Sequence, residues 1–273
     1  MPTAVKIPNI KLNNGYEIPI FGLGTWKSEP QEVVQVVKDA IDLGYRHFDC
    51  AFLYENEQEV GEGIKAKIEE GVVKREDLFI TSKLWNTFQR PDLVVEACGM
   101  SVKNLGEDGD LMPKDSNDKV QYSNVDYVDT WVEMEKCVEL GLTRSIGLSN
   151  FNSQQTLRIL DKAKIKPSHD IAVTAYGPLG SPYRPLPKPD DIPLLEEPKL
   201  KAIAAHHTKS VQRGNVTIPK SVHKARILEN FSIFDFELSA DDMSVIDSFD
   251  CNGRLIVPAN VEDHPHFPFA IEF

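Results

Sequence analysis

A chain of 273 residues, 41% hydrophobic and 26% charged, is long enough to bury one large core or two modest ones and reads as a soluble globular protein. Its net charge of −12 leaves no basic stripe for a polyanionic backbone, so nucleic acid is not an expected partner. Met1-Pro2-Thr3-Ala4-Val5-Lys6 lacks an apolar signal core and no run of about 18 apolar residues occurs, which predicts a cytosolic protein without a membrane span. Cys50, Cys98, Cys137 and Cys251 stand far apart, match no metal-ligand spacing, and read as free thiols.

Val5, Ile7, Ile10 and Leu12 before Asn14-Gly15, and Tyr16, Ile18 and Ile20 after it, predict an antiparallel hairpin that caps one end of the fold. Ser28 and Gln31 have capping-box spacing ahead of Val33, Val36, Val37, Ala40 and Ile41, whose helical period predicts a helix stopping at Gly44. A glycine stop, a short polar link and a strand follow at Gly44-Tyr45-Arg46-His47-Phe48-Asp49, and the same module recurs at Gly141-Leu142-Thr143-Arg144-Ser145-Ile146-Gly147. Further strands are expected at about 21–25, 78–84, 171–176 and 216–220, with helices at about 58–70, 92–105, 126–140, 153–162 and 198–207.

Such alternation implies a parallel sheet, either open or closed into a barrel. Gly22-Leu23-Gly24 begins like a dinucleotide fingerprint, but Lys27 holds the third glycine position and no helix follows directly, so a Rossmann site is rejected. Polar candidates at the ends of several strands suit a (β/α)8 TIM barrel better. Between Leu105 and Asp126 the chain is polar, beginning Gly106-Glu107-Asp108-Gly109-Asp110, and holds no buried-strand run. Six of the eight barrel strands are therefore identifiable. The expectation is one domain over residues 1–273, an incomplete barrel with an N-terminal β-hairpin.

Phe48-Asp49-Cys50-Ala51, Tyr54-Glu55-Asn56 and Thr81-Ser82-Lys83-Leu84-Trp85 place an acid, a phenol and an amine near the ends of two expected strands. A phenol has a pKa near 10 and serves as an acid at neutral pH only if a cation stabilises its anion. Lys83 is the candidate cation and Asp49 its anchor. Taken singly, a Lys-Asp pair at strand ends is more often a plain ion pair.

Gly22-Leu23-Gly24-Thr25-Trp26, Gly44 to Asp49, Tyr54 with Asn56-Glu57, Ile80 to Trp85, Gly147-Leu148-Ser149-Asn150-Phe151, Ala175 to Pro182 and Ile218-Pro219-Lys220-Ser221 follow one another in an order that resembles the aldo-keto reductase family, close to its aldose and aldehyde reductase branch. The resemblance covers nearly the whole chain. It implies NADPH-dependent reduction of aldehydes or ketones by a monomer, with Asp49, Tyr54 and Lys83 as catalytic residues. It further implies Tyr176 stacked on the nicotinamide, Ser149 and Asn150 on its carboxamide, and Lys220, Ser221, Arg226 and Asn230 on the adenosine end. Thr25, Trp26, Leu179, Ser181 and Pro219 complete the implied cofactor contacts. Trp26, Trp85 and the loop from Cys251 to His266 would line the substrate pocket. Gly177 replaces a serine common in this branch, and His264-Pro265-His266 lacks the further ligands a metal needs, so no metal is expected.

Three family segments are missing by the same comparison. They follow Gly106, where the family carries its catalytic histidine, follow Lys166-Pro167, where it carries a nicotinamide-binding glutamine, and lie between Lys209 and Gln212. His47, two residues before Asp49, points to the same side one layer deeper and is not expected to substitute. The second reading is therefore a catalytically silent protein that binds NADPH or a protein partner. A metal-dependent barrel hydrolase fits poorly, since no paired histidines stand at a strand end.

Overall fold

The computed structural model describes residues 7–103, 124–168, 173–178, 196–207, 216–249 and 261–271. The expected hairpin is present: β1 (Asn9–Lys11) and β2 (Glu17–Pro19) pair antiparallel with Ile10 opposite Ile18. Leu12 and Ile18 are buried with Val216. Asn13 Nδ2 donates to the Pro167 carbonyl (2.9 Å) and Asn14 Nδ2 to Ser145 Oγ (2.7 Å), so the turn is fastened to distant parts of the chain.

Two parallel ladders carry the rest. One joins β3 (Leu23–Gly24), β4 (His47–Asp49) and β5 (Phe79–Thr81), the other β6 (Thr174–Ala175) and β7 (Val216–Thr217). A parallel bridge between Phe21 and Thr217 links them. There Thr217 N–H donates to the Ile20 carbonyl and Gly22 N–H to the Thr217 carbonyl, both at 2.9 Å. The spatial order is thus β6-β7-β3-β4-β5, and the last described strand lies beside the first parallel one. The segment 143–147 forms no ladder among the described residues. Ile146 instead buries itself beside Trp131 and Ile159, and its carbonyl accepts from Ser168 N–H at 2.9 Å.

Helix α1 (Pro30–Leu43) buries the five anticipated residues Val33, Val36, Val37, Ala40 and Ile41 and ends at Gly44, φ +107°. Its start differs from expectation. Glu29 is the N-cap and makes no side-chain cap, because Pro30 occupies the first turn with its φ already fixed and moves the boundary past Ser28. Helices α2 (Glu57–Glu69), α3 (Pro91–Lys103), α4 (Tyr127–Glu139), α5 (Ser153–Lys162) and α6 (Pro198–His207) lie where the periodicity places them. Two helices of eight residues were not anticipated, α7 (Lys224–Phe231) and α8 (Ala240–Asp247). Helix α7 buries Ile227, Asn230 and Phe231, while α8 starts in a reciprocal Ser239–Asp242 capping box.

The main core collects Phe21, Leu23, Val33, Val37, Tyr45 and Phe48 with Ile227 and Phe231 from far along the chain. Tyr45 Oη donates to the Ile227 carbonyl at 2.8 Å, so its buried hydroxyl is satisfied. Trp131, Ile146 and Ile159 form a satellite core beneath α4 and α5.

Candidate active site

The candidate residues gather where the parallel strands end. Asp49 closes β4 and is buried, Tyr54 ends a 3-10 turn over Phe52–Tyr54, and Lys83 stands two residues beyond β5. Pairing of β4 with β5 sets Asp49 opposite Thr81, and Cys50 N–H then donates to the Thr81 carbonyl at 2.8 Å, which carries Lys83 alongside. The Lys83 ammonium donates to Asp49 Oδ1 (2.6 Å), the Cys50 carbonyl (2.8 Å) and Tyr54 Oη (3.2 Å). The structure therefore brings the acid, phenol and amine into one hydrogen-bonded unit, with the Cys50 carbonyl as a member the sequence did not reveal.

Burial and the Lys83 charge act in opposite directions on this unit. Burial raises the Tyr54 phenol above its ordinary value, and the opposing pull of Lys83 does not reverse this. Burial also raises the Asp49 carboxyl, with Lys83 acting against it. Burial disfavours the Lys83 ammonium, yet Asp49 and Tyr54 together hold it above its usual value. The unit consequently holds a neutral, proton-bearing phenol beside a fixed cation.

His47 is buried behind Asp49. Its Nδ1 lies 3.2 Å from the Pro19 carbonyl, which can only accept, so Nδ1 carries the proton and Nε2 accepts from Thr81 Oγ1 at 3.3 Å. Burial lowers its pKa to about 4, leaving a neutral imidazole with both nitrogens engaged.

Glu57 is the residue that sequence reasoning passed over. It opens α2, is buried, and accepts a hydrogen bond from Ser82 Oγ, directly before Lys83. Its neighbour Asn56 donates from Nδ2 to the carbonyls of Thr25 and Ser28, both at 2.9 Å, and so holds the loop after β3. Both residues stood inside the quoted Tyr54–Glu57 motif, but without an assigned role.

Other candidates line the same strand ends. Thr25 is buried, its hydroxyl donating to the Asp49 carbonyl at 2.9 Å. Trp26 is exposed, with its ring 6.5 Å from that of Tyr54. Trp85 is part-buried at the start of the turn after Lys83. Ser149 and Asn150 are exposed, Asn150 in the left-handed region at φ +60°. Asn150 Oδ1 accepts from Tyr176 Oη at 2.9 Å, which fixes the tyrosine while leaving 48% of it exposed. Gly177 follows at φ +62°, a conformation that serine adopts only with strain.

Beyond β7, Pro219 and Ser221 are buried and Lys220 is exposed. Lys220 lies below its ordinary pKa through partial burial, with Glu32 and Glu29 opposing and Lys27 reinforcing. On α7, Arg226 is exposed and Asn230 buried. Leu179, Ser181 and Cys251 lie outside the described residues. His266 rests against the Tyr127 ring (5.2 Å), and its carbonyl accepts from Gln155 Nε2 (2.8 Å), docking the tail on the first turns of α4 and α5. Among the described residues, one trio of metal-capable side chains converges, His206, His207 and Asp242, and His207 is hydrogen-bonded to Asp242 within it (2.9 Å).

A family model described as the aldo/keto reductase family matches residues 20–172. The chain belongs to the aldo/keto reductase family. It is 42% identical to aldo-keto reductase family 1 member A1-A of Danio rerio, with 95% of this chain and 98% of that protein covered. It is 40% identical to dihydrodiol dehydrogenase 3 of Bos taurus, covering 98% and 99% respectively. The solved structure of the aldose reductase from Schistosoma japonicum superposes with a TM-score of 0.89 at 39% identity, covering 98% of this chain and all of that one. The aldo/keto reductase chain therefore has the (β/α)8 barrel as its fold and is an oxidoreductase of carbonyl compounds by family.

Proposed function

We propose that this aldo/keto reductase reduces aldehydes or ketones to alcohols with NADPH, Tyr54 giving the proton to the carbonyl oxygen. The supporting observation is the Lys83 ammonium shared among Asp49, the Cys50 carbonyl and Tyr54 Oη. A proton donor must be protonated before the reaction, and burial keeps the Tyr54 phenol so. Lys83 then stabilises the phenolate left behind, and Asp49 stops the ammonium from drifting away.

NADPH, when bound, supplies the hydride. The residues present fit that cofactor: Tyr176 is held by its hydroxyl with its ring half exposed, and Lys220 and Arg226 offer exposed cations past β7. Ser149 and Asn150 would hold the carboxamide, with Thr25, Trp26, Leu179, Ser181, Pro219, Ser221 and Asn230 completing the cradle. Trp26 and Trp85 would border a small carbonyl substrate. We take the protein to be a single-domain cytosolic monomer; no helix among the described residues is long and apolar enough to cross a membrane.

The barrel is proposed to be short of family segments, and activity correspondingly reduced. The match to the Danio rerio relative runs over 316 positions, more than the 273 residues this chain has. The second reading, a silent NADPH-binding protein, is favoured by the engagement of both His47 nitrogens, which leaves that imidazole no means of polarising a carbonyl.

Loss of NADPH absorbance with a simple aromatic aldehyde tests the proposal. Tyr54→Phe is expected to reduce turnover by about 10²–10⁴ while NADPH affinity is kept. Cofactor binding with no turnover by the unmutated chain, at an affinity indifferent to Tyr54→Phe, would establish the silent reading instead.

A further inference from the structure

Helix α6 ends in His206-His207, and Asp242 stands in the first turn of α8, which packs against it. His207 Nε2 donates to Asp242 Oδ2 at 2.9 Å, and the His206 and His207 rings meet with their centroids 4.9 Å apart. Nitrogen and oxygen atoms capable of ligation on all three residues lie within 4.8 Å of one another, the one such convergence among the described residues. We infer that His206, His207 and Asp242 form a binding site for a zinc-class divalent cation that ties α6 to α8. Sequence reading weighed only His264-Pro265-His266 as a metal motif, because Asp242 lies 35 residues beyond His207 and the packing of α8 on α6 is what brings it there.

Donor chemistry selects the ion. Two imidazoles and one carboxylate suit zinc, with water in the fourth tetrahedral position. The central pair is already held in place: the His207 and Asp242 side chains are only 16% and 15% exposed, and the His207 ring packs 5.2 Å from that of Phe236. Asp242 Oδ2 also accepts from Ser239 N–H (3.0 Å) and Ser239 Oγ (2.7 Å), which leaves Oδ1 available among the described residues. The carboxylate can therefore ligate through Oδ1 and keep its cap, an outer hydrogen bond of the kind that orients metal ligands. Ligands about 2.0–2.2 Å from a tetrahedral zinc stand roughly 3.4 Å apart. The separations here, at most 4.8 Å, close to that value by a turn of the exposed His206 ring. Zinc takes the place of the proton that His207 now shares with Asp242, and that proton goes to solvent. The field also favours a cation: both histidines sit at the negative end of α6, and Asp241 beside Asp242 offsets the positive end of α8.

The test is calorimetric titration of the chelator-treated full chain with Zn²⁺. One equivalent is expected to bind, to raise the melting temperature and to slow amide exchange in α6 and α8. His206→Gln, a change at an exposed side chain, and Asp242→Asn, which keeps an oxygen for the cap, are each expected to weaken binding at least about tenfold. His264→Gln is expected to leave it unchanged. Co²⁺ in place of Zn²⁺ is expected to give the visible spectrum of a tetrahedral nitrogen and oxygen site; a thiolate-to-cobalt charge-transfer band would assign the metal to cysteine and overturn the inference. Absence of binding, equal affinity in His206→Gln and the unmutated chain, or loss of binding in His264→Gln would overturn it as well. None of these measurements uses carbonyl reduction, so the site stands or falls independently of the proposed function.

Discussion

Lys83 has three ammonium hydrogens and makes three hydrogen bonds, so its position beside Tyr54 is fully determined. Glu57, reached through Ser82, has a less settled charge. Burial raises its pKa to about 7 from an ordinary 4.5, despite the hydrogen bond from Ser82 and the nearby Lys83 charge. A carboxyl raised on folding favours the folded state only while protonated. Its contribution is complete below about 4.5 and is lost as pH climbs to about 7, a change on the order of 3 kcal/mol. Glu57→Gln keeps an oxygen acceptor for Ser82 without the titration, so its urea midpoint is expected to vary less with pH across that window than that of the native chain; parallel curves would show that Glu57 does not titrate there. Asp49, Tyr54 and Lys83 were legible because a few side-chain types recur in a recognisable order. The Cys50 carbonyl was not, since a main-chain acceptor carries no residue signature, and the weight of burial on Tyr54 depends on packing that no local motif encodes.

At the scale of elements, a five-residue apolar stripe specified α1, and glycine specified where it stops. Gly44 has φ +107°, and a Cβ added there would lie 3.2 Å from Phe231 Cζ on α7. Gly141 ends α4 in the same way at φ +72°, but into open space. Gly141→Ala is therefore expected to cost about 1–2 kcal/mol, the left-handed backbone penalty. Gly44→Ala is expected to cost more, because Phe231 must also move; denaturant titration of both variants measures the difference, and equal losses would mean that Phe231 yields freely. The two glycine stops looked alike in sequence, yet among the described residues only the first leads into a paired strand. A strand is a property of two segments, and Ile146 found its packing against Trp131 and Ile159 instead. Helices α7 and α8 escaped notice because eight residues hold barely two turns of apolar periodicity, although Ser239 and Asp242 had capping-box spacing in plain view.

For the whole molecule, the central core is assembled from both ends of the chain. Phe231 is buried with its ring 4.9 Å from Tyr45 and 6.3 Å from Phe21. Phe231→Ala is expected to cost about 3–5 kcal/mol and to speed hydrogen exchange in β4 as well as in α7. Faster exchange confined to α7 would show that the two regions open independently. A second consequence arises during synthesis. Residues 21 and 217, bridge partners in the folded protein, leave the ribosome roughly 10–40 s apart at about 5–20 residues per second. Throughout that interval β3 has an unpaired edge and an apolar face without its covering helix, the state from which chains associate with one another. Pairing beside β3 has to wait for Thr217, and until it arrives the nascent chain must be kept apart from its copies.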